Sequence, residues 1–259
     1  IMKAIYESNI PVSFKGSMVL RACLINGGYT EETRHTVDID ANWNSDTPPT
    51  TEQMADSLQK AISRYNEFLT VGISRPYGER RSAGFEIKNR ETDEILFTMD
   101  IDVNRPVPPT KIYEIESFRF CGVTLSQMTA DKICSISSDS IFRRIKDVTD
   151  LYYISKITNL DKTDILNTLK NSDRKLGDFH AFLNRADELK HSYDKFRFEG
   201  RVTKPSFETV YGAVKRRYRK NPVFTQYCIL SAPQNMTFVF NRLTPCFYYD
   251  IIILFEPAD

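Results

Sequence analysis

Apolar residues recur at helical spacing over residues 13–26, where Phe14, Met18, Leu20–Ala22 and Leu24–Ile25 mark one face. Asn26-Gly27-Gly28 then supplies a stop. The pattern changes to β-type over 35–43. After a Pro-containing loop, Thr50 or Thr51 is placed to cap a helix over 52–68, with Glu52 and Gln53 following and Met54, Leu58, Ile62 and Phe68 on its apolar face. Three strand-like runs follow, at 71–75, 82–89 and 94–103. Asn89-Arg90-Glu91-Thr92-Asp93 is the expected hairpin turn between the last two. Residues 111–124 add further strand, with a turn expected at Cys121-Gly122. Beyond Ser126 the runs 127–137, 139–157, 161–170, 174–189 and 205–219 all carry the helical period. Ser138-Asp139-Ser140 and Leu160-Asp161-Lys162-Thr163 serve as start signals.

Helix, strand, helix and then a meander of strands predict an α+β fold with a mixed sheet, rather than repeated βαβ units. The pattern divides the chain into an α+β domain over 1–125 and a mainly helical domain over 126–259. The last stretch, 222–259, is apolar, aromatic and poor in charge. Its Phe238–Phe240 and Tyr248–Phe255 runs read as strands without an assigned role.

Composition narrows the class. At 259 residues, 41% hydrophobic and 27% charged, the chain suits a soluble globular protein with a real core. A formal net charge of +1 excludes a globally basic nucleic-acid binder but leaves room for a local basic groove. Cys23, Cys121, Cys134, Cys228 and Cys246 have no framework spacing, which points to reduced thiols in a cytoplasm. His35, His180 and His191 are scattered, which argues against zinc. No apolar run is long enough to span a bilayer, and Ile1-Met2-Lys3 does not open a signal-peptide pattern.

The chemistry concentrates in Arg34-His-Thr-Val-Asp38-Ile-Asp40. Side chains alternate along a strand, so Asp38 and Asp40 share a face. Two carboxylates that close repel unless a cation lies between them, and their hard oxygens suit Mg²⁺. Upstream, Gly16-Ser17 opens a helical run, and free N–H groups at a helix start bind phosphate oxygens. The pairing predicts a triphosphate cradle beside a metal-binding carboxylate pair. Lys15 and Arg21 are candidates to assist, although exposed helix cations are common. In the later helices, Ile141, Ile145, Val148 and Tyr152 mark the core stripe of 140–156, while Arg143, Asp147 and Asp150 fall along another face. By itself that second face reads as a solvated ion-pair ladder. Two basic stretches, Arg75–Arg81 around Tyr77 and Lys215–Lys220 around Tyr218, are candidates for contact with RNA. For the second, cations at a helix C-terminus are an equal reading. His35 reads as an ordinary strand residue and Trp43 as packing at the strand's end.

Three blocks in order resemble one family. They are Phe14-Lys-Gly16-Ser17-Met-Val-Leu-Arg21, then Arg34-His-Thr36-Val-Asp38-Ile-Asp40, then Ala130-Asp131-Lys132-Ile133 followed by Arg143-Arg-Ile-Lys-Asp147-Val-Thr-Asp150-Leu-Tyr-Tyr153. The family is the AbiEii/AbiGii-type nucleotidyltransferases, toxins of abortive-infection and type IV toxin–antitoxin systems, with a polymerase-beta-like fold. The resemblance runs over residues 10–155. It implies transfer of a nucleotidyl group from an NTP, assisted by Mg²⁺ or Mn²⁺, to an acceptor such as the 3′ end of a tRNA. It also implies a cognate antitoxin as partner. Mapped onto this chain, it makes Asp38 and Asp40 the metal ligands and catalytic carboxylates. Gly16, Ser17, Lys132 and Arg143 become nucleotide-binding, and Lys132 and Asp147 catalytic. Asp131 stands where relatives carry Glu. A third carboxylate would come from Asp100 or Asp102, if from either, and no motif chooses between them. The competing readings are a non-catalytic nucleotide- or partner-binding protein on this fold, or nucleotidylation of a protein or small molecule.

Overall fold

In the computed structural model, residues 1–29, 38–76, 82–103, 106–115, 118–158, 162–172, 174–198 and 203–219 are described. A short helix, α1 (Met2–Glu7), precedes β1 (Val12–Lys15) and α2 (Gly16–Asn26). The expected helix over 13–26 thus starts three residues late. Val12-Ser-Phe-Lys is extended because it is paired on both sides, antiparallel to β2 (Asp38–Trp43) and parallel to β7 (Phe118–Val123). The switch to helix occurs at Gly16, whose φ of 65° is one that L side chains rarely adopt.

Helix α3 (Thr51–Ser63) begins with the expected capping box. The Thr50 hydroxyl accepts from the Gln53 N–H at 3.3 Å, and the Gln53 side chain accepts from the Thr50 N–H at 2.9 Å. The helix stops short of Phe68. Asn66 Oδ1 accepts the Phe68 N–H at 2.9 Å, a local turn that competes with helix, and Phe68 is left exposed. Then come β3 (Leu69–Arg75), β4 (Ser82–Asn89) and β5 (Ile95–Asp102). Asn89 organises the predicted turn by accepting the Glu91 and Thr92 N–H groups at 2.9 and 3.3 Å.

The run 111–124 is two antiparallel strands, β6 (Thr110–Ile115) and β7, and the turn expected at Cys121-Gly122 is strand instead. Gly122 answers a packing demand there. A Cβ at this position would lie 2.8 Å from Val19 Cγ2 of α2 and 3.0 Å from the Tyr113 ring. Its missing side chain lets α2 approach the sheet.

The seven strands form one mixed sheet in the order β3-β4-β5-β2-β1-β7-β6. β2–β5 and β1–β7 are parallel. The register sorts the central strands into two faces. Phe14, Ala41, Ile101, Met99, Phe85 and Ala83 are cross-strand neighbours and wholly buried. The opposite face carries Lys15, Asp38, Asp40, Asn42, Thr98, Asp100 and Asp102. A sheet with one apolar and one charged face holds its core on one side and leaves the other for chemistry.

The helical region begins at Thr124, which caps α4 (Leu125–Ile136) by accepting the Gln127 N–H at 3.2 Å. A 3₁₀ turn (Asp139–Phe142) and α5 (Ile145–Ile157) replace the continuous helix expected over 139–157. There follow α6 (Lys162–Asn171), α7 (His180–Asn184), α8 (Ala186–Lys195) and α9 (Phe207–Arg219). Residues 174–179, expected to be helical, are irregular because the end of α4 captures them. Gly177 N–H donates to Ser137 Oγ at 2.8 Å, and Phe179 N–H to the Ser137 carbonyl at 3.0 Å. A Cβ on Gly177 would sit 2.1 Å from that carbonyl, and Phe179 is buried in a left-handed conformation. The buried side chains, from Met2 to Val214, form a single cluster. No helix among the described residues is long and apolar enough to cross a membrane. The start signal at Leu160–Asp161 and the run 222–259 lie outside the described residues.

Gly122→Ala is expected to destabilise the protein by about 1–3 kcal/mol through overpacking. Val19→Ala should recover part of that loss. Urea midpoints of the single and double variants measure both effects.

Candidate active site

A cleft of about 570 Å³ opens between the charged face of the sheet and helices α4 and α5. From the sheet side come Lys15, Asp38, Asp40 and Asp102, together with Gly16 and Ser17 at the start of α2. The helical side supplies Asp131, Lys132, Arg144, Lys146, Asp147 and Asp150, and Arg174 enters from the segment after α6.

Gly16 is held there by two constraints. Its positive φ turns β1 directly into α2, and a Cβ would lie 2.8 Å from Asp40 Oδ2. The start of an eleven-residue helix, with its free N–H groups, is thereby pressed against an Asp40 carboxylate. Asp38 and Asp40 lie on one face of β2, as the alternation predicts. Asp38 Oδ1 accepts the Thr98 hydroxyl at 2.8 Å, which fixes its orientation.

Asp100 and Asp102 both lie on the face of Asp38 and Asp40, Asp100 as the register partner of Asp40 and Asp102 as that of Asn42. Asp102 lines the cleft and is salt-bridged to Lys15. Asp100 pairs with Arg75 at 2.7 Å, and Arg75 also donates to the Ser82 carbonyl and hydroxyl at 2.7 Å each. Arg75 therefore braces β3, β4 and β5. The rest of its basic stretch, Tyr77–Arg81, lies outside the described residues, as do Arg34, His35 and Thr36.

The helical side is built around a buried ammonium. Lys132 Nζ lies 2.6 Å from Asp150 Oδ2 and 3.1 Å from Asp147 Oδ1. Both carboxylates are buried, which overturns the solvated ladder expected for this face. Arg144 Nε donates to Asp147 Oδ2 at 2.9 Å. Burial alone would drive the Lys132 proton off, but Asp150 and Asp147 outweigh it and hold its pKa above the ordinary lysine value. Burial opposes ionisation of Asp147 too, yet Lys132 and Arg144 hold its carboxyl below the usual range. Asp131 differs. Burial raises its pKa, and Arg174, at 3.0 Å, offsets only part of the rise.

Gly16, Ser17, Asp38, Asp40, Lys132 and Asp147 thus meet in one cleft. Arg143 is not among its lining residues. The helix expected over 140–156 is broken, and Arg143 is the exposed C-cap residue of the 3₁₀ turn. Arg144, its neighbour, carries the contact with Asp147. The i,i+3 spacing of Arg144 and Asp147 was the signal available in sequence. Arg174 had none, because a remote irregular segment delivers it. In the second basic stretch, Arg217 donates to the Ser155 carbonyl at 3.2 Å and to the Thr158 carbonyl, tying α9 to the end of α5. Lys215 lies over the Tyr211 ring at 5.3 Å.

The donor set fits a hard divalent cation. Mg²⁺ is commonly held by one or two carboxylates, with water and substrate phosphates completing its shell. Asp38 and Asp40, beside the start of α2, offer that arrangement. Among the described residues no three acid, His or Cys groups are gathered into a ready-made metal set.

A mixed sheet with a glycine-started helix, a two-carboxylate strand beside it and a helical half closing the cleft defines a nucleotidyltransferase-like protein. The chain belongs to the nucleotidyl transferase AbiEii toxin family of type IV toxin–antitoxin systems, whose family model matches residues 3–215. Among solved structures it resembles MenT4, nucleotidyltransferase toxin Rv2826c from Mycobacterium tuberculosis H37Rv. The TM-score is 0.52 with 14% identity, covering 87% of this chain and 83% of that one. At that identity the likeness is one of fold. No curated protein matches the chain.

Lys132→Met removes the ammonium shared by two buried carboxylates and is expected to cost about 3–5 kcal/mol at neutral pH. The pH dependence has a definite sign. In the native protein Lys132 and Asp147 are both charged between the ordinary carboxyl value of 3.8 and the ordinary ammonium value of 10.5. The Asp147 contribution is lost as pH falls through its depressed native pKa, and the Lys132 contribution as pH rises above 10.5. Without Lys132 the Asp147 carboxyl takes up a proton more readily. The deficit against wild type should therefore shrink from about pH 8 to about pH 5, read from denaturation midpoints across that range.

Proposed function

We propose that this protein is a divalent-cation-dependent nucleotidyltransferase. It would join a nucleotidyl group from an NTP to an acceptor, favoured as the 3′ end of a tRNA, and act as the toxin of a toxin–antitoxin pair with a cognate antitoxin as partner. The observation that carries this reading is the meeting of Gly16-Ser17, Asp38/Asp40 and the Lys132–Asp147–Asp150 network in one cleft. Family membership supports the toxin role, and the free described cysteines suit a reducing cytoplasm.

Each residue then has a physical task. The N–H groups and hydroxyl at Gly16-Ser17 grip the terminal phosphates, and Gly16 lets the backbone come close. Asp38 and Asp40 hold the cation. Mg²⁺ or Mn²⁺ bound there would neutralise charge developing on the reacting phosphoryl group. An ammonium has three donors. Asp147 and Asp150 take two of those on Lys132, and the third is available to a phosphoryl oxygen in the cleft. Asp147 is a positioning residue in this reading. A carboxyl held below its ordinary pKa is a poor proton acceptor, but it fixes Lys132 and Arg144 together. Lys146 and Arg174 line the same cleft and present cations to a polyanionic acceptor.

The salt bridge between Lys15 and Asp102 favours one rival, a protein that binds nucleotide without turnover, since it occupies a third carboxylate. Incubation with each α-³²P-labelled NTP, Mg²⁺ and total bacterial RNA separates the two. Label is expected in a tRNA-sized band and should fall by at least about 10²-fold in Asp38→Ala/Asp40→Ala. Label in protein instead would redirect the acceptor. No label in any fraction, with nucleotide still bound, would favour the binder. Gly16→Ala is expected to lose nucleotide affinity by about tenfold or more, because it strains φ and crowds Asp40. Equilibrium binding of a fluorescent NTP reads that loss directly.

A further inference from the structure

Lys15 occupies a position contested by two anions. It ends β1 and immediately precedes the Gly16-Ser17 helix start. Its ammonium is salt-bridged to Asp102 Oδ2 and lies 3.4 Å from Asn42 Oδ1. Asn42 and Asp102 are register partners across β2 and β5, and Lys15 is the register partner of Asp40. Asp102 therefore shares the face of Asp38 and Asp40, one ladder step along. It still does not join them as a ready-made metal set among the described residues. The group holding Asp102 is Lys15.

We infer that Lys15 is a nucleotide-operated counter-ion. In the free protein it neutralises Asp102 and keeps that carboxylate out of the metal site. A triphosphate docking at Gly16-Ser17 draws the ammonium onto its phosphates and releases Asp102 to join Asp38 and Asp40. Two properties make the exchange reasonable. A lysine head is a point charge on a flexible stem and can be re-aimed without moving the backbone. A triphosphate carries several negative charges against the single charge of Asp102, so the ammonium gains by crossing. Metal and nucleotide then bind cooperatively, each strengthening the other by the same factor. The inference rests on the nucleotide-and-cation reading of the cleft.

The test measures Mn²⁺ affinity of the full chain by the electron paramagnetic resonance signal of free Mn²⁺. Titrations are run with and without a non-hydrolysable α,β-methylene analogue of each of the four NTPs. Wild type should bind Mn²⁺ weakly alone and tightly with one analogue, and Asp102→Asn should weaken only the second state. Lys15→Met should tighten Mn²⁺ binding in the absence of nucleotide by about tenfold, and that gain should vanish in Lys15→Met/Asp102→Asn. Lys15→Gln repeats the measurement should the Met variant fail to fold. No tightening on removing Lys15, or a gain that survives Asp102→Asn, overturns the inference and leaves the site reading intact. Absence of Mn²⁺ binding with every analogue, or binding indifferent to Asp38→Asn, overturns the site reading itself.

Discussion

A lysine ammonium buried between two carboxylates fixes how the helical half meets the sheet. Lys132 belongs to α4, and Asp147 and Asp150 belong to α5. None of the three is tolerable in its place without the others, because each isolated buried charge costs several kcal/mol. The three-way pairing holds the two helices in one register. It also leaves a cation facing Asp38 and Asp40 across the cleft. The segment 174–179 is drawn against the end of α4 by Ser137, and it brings Arg174 to Asp131. The cleft is thus walled by charges whose positions derive from helix packing.

The sheet contributes a different kind of rigidity. Its central strands are paired on both sides, and the register places the charged residues that the strands lend to the site on one face. Strand alternation makes Asp38 and Asp40 neighbours, and the Thr98 hydroxyl orients Asp38. Gly16 then pins the start of α2 against Asp40 by lacking a side chain. Gly16-Ser17 and the Asp38/Asp40 pair are consequently rigid relative to each other. The long cations around them, Lys15, Lys146 and Arg174, stand on flexible stems.

Several basic residues that looked available for a nucleic acid are engaged within the fold. Arg75 braces three strands, and Arg217 caps the carbonyls at the end of α5. Guanidinium groups serve this purpose well because one head satisfies several acceptors in fixed geometry.

Period and punctuation in the sequence determined much of the architecture. The capping box at Thr50, the turn at Asn89, the strand run 82–103 and the shift to helices after Thr124 were all legible, because each depends on contacts within a few residues. The carboxylate pair was legible for the same reason, since alternation alone puts Asp38 beside Asp40. Tertiary structure decided what local pattern could not. Residues 12–15 became strand because two partners flank them, and Gly122 proved a packing glycine rather than a turn. The break before Ile145 left Arg143 out of the cleft lining and put Arg144 against Asp147. Burial of Asp147 and Asp150 depends on a lysine on a different helix, the contribution of Arg174 on a captured segment, and the standing of Asp102 on a salt bridge from β1. These are contacts between residues far apart in the chain, and local periodicity has no register of them.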